Sequence, residues 1–254
     1  MPSQDSGEVR QIQERDSDLV TTGERWVGVP AREGLLTQRL ADAAGKLFPP
    51  GSGRSSWLVL EPQTGLGIPD VLIIQASALA VSTHVARGLR LPTLSAARVL
   101  SARPNEATGV TPRYAQSLRL NATRDGWTAS AVRAASSVVS DSLAIEVKLA
   151  DAKRALQQLS KFRVSTHRAA ICRPASTAHR ASRQTLDRFG AGLLVAEEFD
   201  IHWENRARFQ EIPTFRRLWL AELLVRSLEA GSAYRLSASR KRSIADASDL
   251  TRPS

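Results

Sequence analysis

The sequence predicts an α/β fold in which helices flank a central mixed sheet. Segments with helical and strand periodicity follow one another in the order helix, three strands, helix, strand, helix, strand. Hydrophobic residues make up 42% of the 254 residues, which is enough for one substantial core. The single cysteine, Cys172, excludes an intramolecular disulfide and any cysteine-rich zinc module. We therefore expect a core that is held together by apolar packing.

A helix and a hairpin open the predicted core. Apolar side chains recur at helical spacing from Arg32 to Phe48, and Pro49-Pro50 ends this pattern. Two short apolar runs follow at Trp57–Glu61 and Ile68–Ile74, and the segment between them, Gln63–Gly65, has the composition of a turn. These runs predict two strands that pair as a hairpin.

Strands and helices alternate in the second half of the predicted core. Leu143–Leu149 has the alternating pattern of a strand, and Asp151 is a suitable N-cap for the helix that follows it. The remaining predicted elements are that helix to about Arg163, a strand at Arg168–Cys172, a helix from about Ser176 to Phe189, and a strand at Gly192–Ala196. Together with the hairpin, this order predicts a mixed sheet.

Residues 84–136 interrupt this order and carry eight arginines against two carboxylates. Leu94–Ala102 has the pattern of one helix. Thr111-Pro112 is a typical start for a second helix, which Gly126 ends just before Trp127. The segment resembles the recognition helix and following wing of helix-turn-helix domains, which implies a small helical, winged-helix-like insertion that assists DNA binding. The alternative is a plain helical hairpin that extends the core without touching DNA.

The chain divides into a predicted core, its insertion and two tails. Residues 1–24 are acidic and polar with almost no apolar periodicity, so we expect them to be disordered. The α/β core is assigned to residues 25–83 and 137–234, and the insertion to 84–136. Residues 235–254 are rich in serine, alanine and arginine, and they are predicted to form a disordered basic tail.

The charge of the chain indicates a polyanionic partner. Lys and Arg number 35 against 25 Asp and Glu, a formal net charge of +10. We expect nucleic acid as the partner rather than a membrane surface. No apolar run approaches the roughly 20 residues that a membrane helix needs, and the N-terminal segment lacks the apolar stretch of a secretory signal. We therefore expect a soluble, cytoplasmic protein, associated with the nucleoid if it is bacterial.

Charged side chains stand at unexpected positions on two predicted strands. Asp70 directly precedes the apolar run of the second strand, and burying an unpaired carboxylate is costly. On the third strand, Glu146 and Lys148 alternate with aliphatic residues, so both project from one face. The pattern indicates charge pairing or metal ligation, and the alternative is a surface Glu/Lys pair beside an aspartate at a turn.

The combination Pro69-Asp70 and Glu146-Val147-Lys148 resembles the PD-(D/E)xK nuclease superfamily, and the order of elements matches over roughly residues 32–196. The resemblance implies a restriction-endonuclease-like core and hydrolysis of DNA phosphodiester bonds with Mg²⁺ or Mn²⁺. It also implies that Asp70 and Glu146 bind the metal and that Lys148 assists the attacking water. The alternative is a catalytically inactive DNA-binding or regulatory protein on the same fold.

Three further residues have counterparts in this resemblance. Glu61 precedes Asp70 on the hairpin and is a candidate third metal ligand. Glu33 stands near the start of the first helix, where many members carry an additional acidic residue. The segment from Gln158 to Phe162 resembles the Gln-x-x-x-Tyr element of the family, with phenylalanine in place of tyrosine. That position lacks the hydroxyl group, so only Gln158 is assigned a supporting role.

Basic side chains are concentrated around the predicted site. Residues 150–190 carry nine positive and two negative side chains. Collectively they are expected to neutralise phosphates, although a solvated helix face is the alternative for any single arginine. The predicted nucleic-acid-binding residues are Arg113, Arg119, Arg154, Lys161, Arg163 and Arg168.

An amphipathic segment at Phe215–Leu224 predicts a C-terminal helix. It would either dock on this domain or form the face of a homodimer. In a third interpretation, this helix makes the chain a protein-interaction domain, and nucleic acid binding is incidental.

Overall fold

A seven-stranded mixed sheet forms the centre of the computed structural model, which describes residues 33–62, 67–102, 106–148, 152–162, 165–172, 185–197 and 200–236. The strands are β1 (Ser55–Leu60), β2 (Val71–Ala76), β3 (Val139–Val147), β4 (His167–Cys172), β5 (Gly192–Ala196), β6 (Ile201–Asn205) and β7 (Ala233–Leu236). Their order across the sheet is β6-β5-β4-β3-β2-β1-β7. β4 runs parallel to β3 and to β5, and the other neighbours are antiparallel. The predicted α/β class with a mixed sheet is therefore confirmed.

Helices cover both faces of this sheet. In the described residues they are α1 (Glu33–Leu47), α2 (Ala78–Ala86), α3 (Leu94–Ser101), α4 (Pro112–Arg124), α5 (Ala129–Ser136), α6 (Ala152–Leu159) and α7 (Thr214–Glu229), with one more helical turn at 185–188. Helix α1 packs on one face, and helices α2 to α7 pack on the other. Two separate apolar clusters, one on each face, hold the three layers together.

The central strands β2 and β3 are buried on both faces. All six residues of β2 are buried, and so is the run Leu143–Val147 of β3. Ile73 and Ile145 belong to the cluster beneath α1, whereas Leu72 and Ala144 belong to the opposite cluster. This explains why both strands read as nearly continuous apolar runs. Asp70 and Lys148, which directly adjoin these runs, therefore lie at the end of the sheet, where the buried part of the two strands stops.

Helix α4 begins as the sequence predicts. The hydroxyl of Thr111 accepts a hydrogen bond from the Tyr114 amide, and Pro112 occupies the first helical turn. The predicted wing after this helix is wrong. Thr128 instead caps α5, because its hydroxyl accepts a hydrogen bond from the Ala131 amide. A capping threonine at this position begins another helix rather than a β-hairpin.

The helices within residues 84–136 pack directly on the sheet. Val99, Trp127 and Val132 are buried in one cluster with Leu72 of β2. Helices α3 and α5 also contact α7. In the described part of this segment, the helices therefore extend the core on one face of the sheet, as in the helical-hairpin alternative. Contact of the segment with DNA stays a prediction.

The C-terminal helix α7 is covered by its own chain. All eight residues of Leu218–Val225 are buried, so this stretch of the helix is covered around its whole circumference, including the carboxylate of Glu222. The structure agrees with the hypothesis that this helix docks on its own domain. The apolar side chains that a homodimer face would use are already packed against the sheet and the neighbouring helices.

Two edge strands were not predicted, and one predicted boundary is wrong. Strand β7 pairs with β1, with Trp57 opposite Arg235, so residues 235 and 236 belong to the sheet and not to a disordered tail. Strand β6 pairs with β5 on the other side. Several predicted features lie outside the described residues. They are the tail at 1–24, the turn at 63–65, the strand end at Leu149, the helix cap at Asp151, the helix end at Arg163, the first part of the helix predicted from Ser176, and the tail beyond 236.

Candidate functional site

Strands β2 and β3 place two carboxylates side by side at one end of the sheet. Val71 pairs with Ile145, so the next position along the ladder brings Asp70 beside Glu146. Because successive side chains alternate between faces, these two side chains share a face, and Lys148 joins them two residues further along β3. The three residues predicted from the sequence as one site are therefore brought together.

One ammonium group connects both carboxylates. The Lys148 Nζ atom lies 2.8 Å from Glu146 Oε1 and 3.8 Å from Asp70 Oδ2. It also donates a hydrogen bond to the Val147 carbonyl oxygen at 2.7 Å. The Lys148 backbone amide donates to Ile171 O in β4, at 3.1 Å, which fixes the lysine against the neighbouring strand. Three oxygen atoms thus surround one positive charge.

Exposure of the three side chains increases from Glu146 towards Asp70. The Glu146 side chain is 0% exposed, that of Lys148 is 11% exposed and that of Asp70 is 29% exposed. A completely buried carboxylate needs a compensating charge or hydrogen-bond donors. Lys148 supplies this charge from the solvent side. The site is therefore anchored in the core and opens to solvent beside Asp70.

Backbone hydrogen bonds fix the orientation of Asp70. Its Oδ2 atom accepts a hydrogen bond of 2.6 Å from the Val147 amide, and its carbonyl oxygen accepts one of 3.1 Å from the Glu61 amide. The Asp70 carboxylate thus adds one hydrogen bond to the end of the β2–β3 ladder. The bond from the Glu61 amide joins β1 and β2 at the end of the hairpin that faces the turn. Asp70 therefore has a fixed rotamer beside Glu146.

Glu61 differs from Asp70 and Glu146 in its backbone conformation and its exposure. Its backbone has a φ of 45°, in the left-handed region, and the residue is exposed. Among the residues that the structure describes, no three Asp, Glu, His or Cys side chains form a group that could hold a metal. Glu61 is thus next to Asp70 through its backbone, and its proposed role as a third ligand stays a prediction.

The turn after helix α6 supports the loop that carries Asp70. Gly67 has a φ of 119°, and a Cβ atom at this position would lie 2.6 Å from Cε1 and 2.7 Å from Cδ1 of Phe162. Only glycine allows the backbone to approach the ring this closely. Phe162 stands where the related motif has tyrosine, and here its ring is buried as a packing surface for the loop.

Two supporting residues of the resemblance lie on opposite faces of the sheet. Gln158 is half-buried on α6, and its Oε1 atom has no hydrogen-bond partner in the described part of the chain. Glu33 begins α1, which packs on the face opposite to Glu146. The Glu33 side chain lies outside the described residues. Gln158 is thus the better placed of the two, since its helix covers the face that carries the site.

The predicted nucleic-acid-binding residues are spread over two regions. Arg154 and Lys161 are exposed on α6 and on the turn after it, and the Cβ atom of Lys161 lies beside Gly67. Arg113 is exposed and Arg119 half-buried on α4, within the helices that extend the core. Arg163 lies outside the described residues. Of the predicted nucleic-acid-binding residues that the structure describes, Arg154 and Lys161 therefore lie on the helix and turn that directly follow β3.

Arg168 is bound within the fold. Its guanidinium donates to Leu159 O at 3.1 Å and to Gln210 Oε1 at 2.6 Å. These bonds tie the start of β4 to the end of α6 and to the segment before α7. A phosphate contact by Arg168 would compete with them, which leaves Arg154 and Lys161 as the more accessible cations near the site.

The donor set is chemically suited to a divalent cation. Asp70 and Glu146 supply carboxylate oxygens, and the Val147 carbonyl adds a third oxygen around the position of the lysine ammonium. Hard oxygen atoms are the ligands that Mg²⁺ and Mn²⁺ prefer, with water completing the coordination shell. The residues present therefore fit the cation that the resemblance implies.

Sequence reasoning missed the contributions of Val147 and Gly67. Val147 acts through its backbone, since its amide holds Asp70 and its carbonyl receives Lys148. An aliphatic side chain gives no sign of such a role. Gly67 is recognisable only as a glycine shortly before Asp70, and the ring it must accommodate comes from a distant segment.

These features define the class of the protein as an α/β protein with a mixed sheet and an aspartate–glutamate–lysine site at one end of that sheet. The chain matches no protein-family model and no curated protein. It is similar to a solved structure of a protein of unknown function from Silicibacter pomeroyi, at 14% identity and a TM-score of 0.38, over 76% of this chain and 87% of that one. No helix within the described ranges is long and apolar enough to cross a membrane.

Proposed function

We propose that this protein is a metal-dependent nuclease-like enzyme that hydrolyses phosphodiester bonds of DNA. The observation that carries the proposal is the shared ammonium of Lys148, which lies 2.8 Å from Glu146 and 3.8 Å from Asp70 on one face of the sheet. Two adjacent carboxylates and a lysine at the solvent end of a buried strand are the groups that this reaction needs.

Asp70 and Glu146 hold Mg²⁺ or Mn²⁺ in this proposal. When bound, the cation acts as a Lewis acid on the phosphate and lowers the pKa of a bound water. Lys148 orients the attacking water and offsets the negative charge that develops on the phosphate. The Val147 amide keeps the Asp70 carboxylate in place during this process. Asp70 and Glu146 are placed by the β2–β3 ladder, and the backbone of Lys148 is held by its bond to Ile171 in β4.

Exposed basic side chains near the site bind the DNA backbone in this proposal. Arg154 and Lys161 are exposed on the side of the sheet that carries Glu146. The positive charge along residues 150–190 attracts phosphates over a longer range. Binding should therefore weaken steeply as the salt concentration rises.

Cleavage of DNA in the presence of Mg²⁺ or Mn²⁺ tests the proposal. We expect wild-type protein to cut, and Asp70→Asn and Lys148→Met to lower the rate by about 10²-fold or more, in the range of single catalytic groups. Lys46→Met is the matched control, because it removes an exposed lysine that is paired with Asp200 elsewhere on the surface. Equal cleavage by wild type and by the two site variants would refute the assignment.

A catalytically inactive DNA-binding protein is the second candidate. The observation that favours it is the buried Phe162 ring, which replaces the hydroxyl-bearing residue of the related motif. In that case, DNA binding would be sensitive to salt and unaffected by Glu146→Ala, and no metal would produce cleavage. Absence of DNA binding at low salt would exclude both candidates.

A further inference from the structure

The Lys148 ammonium lies among the oxygen atoms that would ligate a divalent cation in the proposed function. It contacts Glu146 Oε1 at 2.8 Å, the Val147 carbonyl at 2.7 Å and Asp70 Oδ2 at 3.8 Å. These are oxygens of the residues that would also ligate a divalent ion. A metal at this point and the ammonium would be like charges at close range. The two therefore cannot occupy the site together with Lys148 in its present rotamer.

The burial of Glu146 gives the ammonium a second role. A carboxylate with 0% exposure needs a compensating charge or hydrogen-bond donors, and the Lys148 ammonium is such a charge at 2.8 Å. Lys148 provides the charge from a side chain that is itself 11% exposed, so part of that side chain reaches solvent. Its flexible four-carbon chain allows the ammonium to move outward without any change in the backbone.

We propose that Lys148 is the internal counter-cation of the metal-free site, and that a divalent cation enters by exchange with its ammonium. The inference rests on the proposed function, in which the cation is Mg²⁺ or Mn²⁺. Without a bound metal, the ammonium stabilises the two carboxylates, and it competes with the metal for them. Once the metal compensates Glu146 and Asp70, the amine is released towards solvent, where a phosphate would lie. Binding of the metal and movement of the Lys148 amine to its position beside the phosphate would then be coupled.

The chain contains a second lysine–carboxylate pair for comparison. Lys46 Nζ lies 2.8 Å from Asp200 Oδ1, the same separation as between Lys148 and Glu146. The side chains of that pair are 67% and 47% exposed, so solvent screens them. Lys46→Met and Lys148→Met therefore each remove one positive charge that lies 2.8 Å from a carboxylate oxygen, the first at the exposed surface and the second beside a buried carboxylate.

Calorimetric titration with Mn²⁺, without DNA, tests the exchange on the full chain. We expect Lys148→Met to bind Mn²⁺ about tenfold more tightly than wild type, because the competing charge is gone. Lys46→Met should bind as wild type does. In chelator, Lys148→Met should melt at a lower temperature than wild type, and Mn²⁺ should remove the difference. Equal or weaker Mn²⁺ binding by Lys148→Met would overturn the inference.

Amine labelling of wild-type protein gives a test that does not depend on how the variant folds. The sequence has five lysines, at positions 46, 148, 153, 161 and 241, so mass spectrometry can follow each one. Mg²⁺ should raise the labelling rate of Lys148 severalfold and leave that of Lys46 unchanged. An unchanged or slower rate at Lys148 would overturn the exchange.

The two proposals can fail separately. If wild-type protein cleaves DNA but Mg²⁺ does not change the labelling of Lys148, the proposed exchange is refuted and the proposed nuclease activity is retained. Tighter Mn²⁺ binding by Lys148→Met, with Mg²⁺-dependent labelling but no cleavage, would retain the exchange and refute the nuclease. Failure of every variant and of wild type to bind Mn²⁺ would refute the exchange.

Discussion

Replacement of Gly67 by alanine should destabilise the loop that carries Asp70. The new Cβ would lie 2.6 Å from the Phe162 ring, and the backbone would have to keep a φ of 119°. A residue other than glycine at such a φ costs about 1–3 kcal/mol. Overpacking against a buried ring costs about 1–3 kcal/mol more. We therefore expect Gly67→Ala to lower the free energy of unfolding by about 2–6 kcal/mol.

Gly53 provides the matched control for the backbone part of this cost. It has a φ of 70°, and no atom lies within 4 Å of a Cβ built there. Gly53→Ala should therefore lose only about 1–2 kcal/mol, from the left-handed conformation alone. Equilibrium urea denaturation of both variants measures the difference. The reasoning is refuted if Gly67→Ala loses no more stability than Gly53→Ala.

A double-mutant cycle isolates the contact with the ring. Phe162→Leu shortens the side chain that the new methyl group would meet, so Gly67→Ala should cost less in this background than in wild type. The cleavage rate in Mn²⁺ should fall with Gly67→Ala and recover in part in the double variant, because Asp70 follows on the same loop. Additive effects on the free energy of unfolding would show that Phe162 is not the obstacle.

Two further predictions concern buried polar groups on the helical face of the sheet. Glu222 is 0% exposed and accepts hydrogen bonds from the Leu91 amide and Arg226, so Glu222→Leu should lower the free energy of unfolding by about 1–3 kcal/mol in urea titrations; an unchanged midpoint would contradict this role. Burial lowers the pKa of His84 below its ordinary 6.5, so protonation favours the unfolded chain. The stability that neutral His84 contributes should be fully present above pH 6.5 and be lost on acidification. Melting curves recorded at several pH values would then show a melting temperature that falls with decreasing pH, and His84→Gln should reduce this dependence.

The core elements were predictable because their signals are local. Helix α1 ends where Pro49-Pro50 follows, and α4 begins at Thr111-Pro112. Strands β2 and β3 are recognisable because burial on both faces demands nearly continuous apolar runs. Each of these features depends on residues within one or two turns of the element itself.

The edge strands and α7 were less predictable because their environment is set by distant residues. Strand β7 has only four residues and takes its place by pairing with β1. In α7, Arg216, Arg217 and Glu222 give Phe215–Leu224 an amphipathic pattern. The carboxylate of Glu222 is nevertheless buried, with bonds to Arg226 and to the Leu91 amide before α3. A charge that is paired inside the fold cannot be distinguished by sequence from one that faces solvent.

The side chains of the candidate site were predictable, and the way they are held was not. Asp70, Glu146 and Lys148 stand out because each interrupts or adjoins an apolar strand. The contact of both carboxylates with one ammonium follows from the register of β2 against β3, which no short motif encodes. The bonds from Val147 depend on backbone atoms that every residue has, so they leave no trace in the sequence.

The pairing of β1 with β7 also has a consequence for the order in which the sheet is completed during synthesis. Strand β1 lies near the start of the described chain and β7 at its end, with Ser56 opposite Leu236. While the chain emerges from the ribosome, the six other strands of the described residues are available before β7. The outer edge of β1 therefore remains an open row of backbone donors and acceptors until β7 has been synthesised. Nascent chains on one messenger would be most prone to associate through this edge.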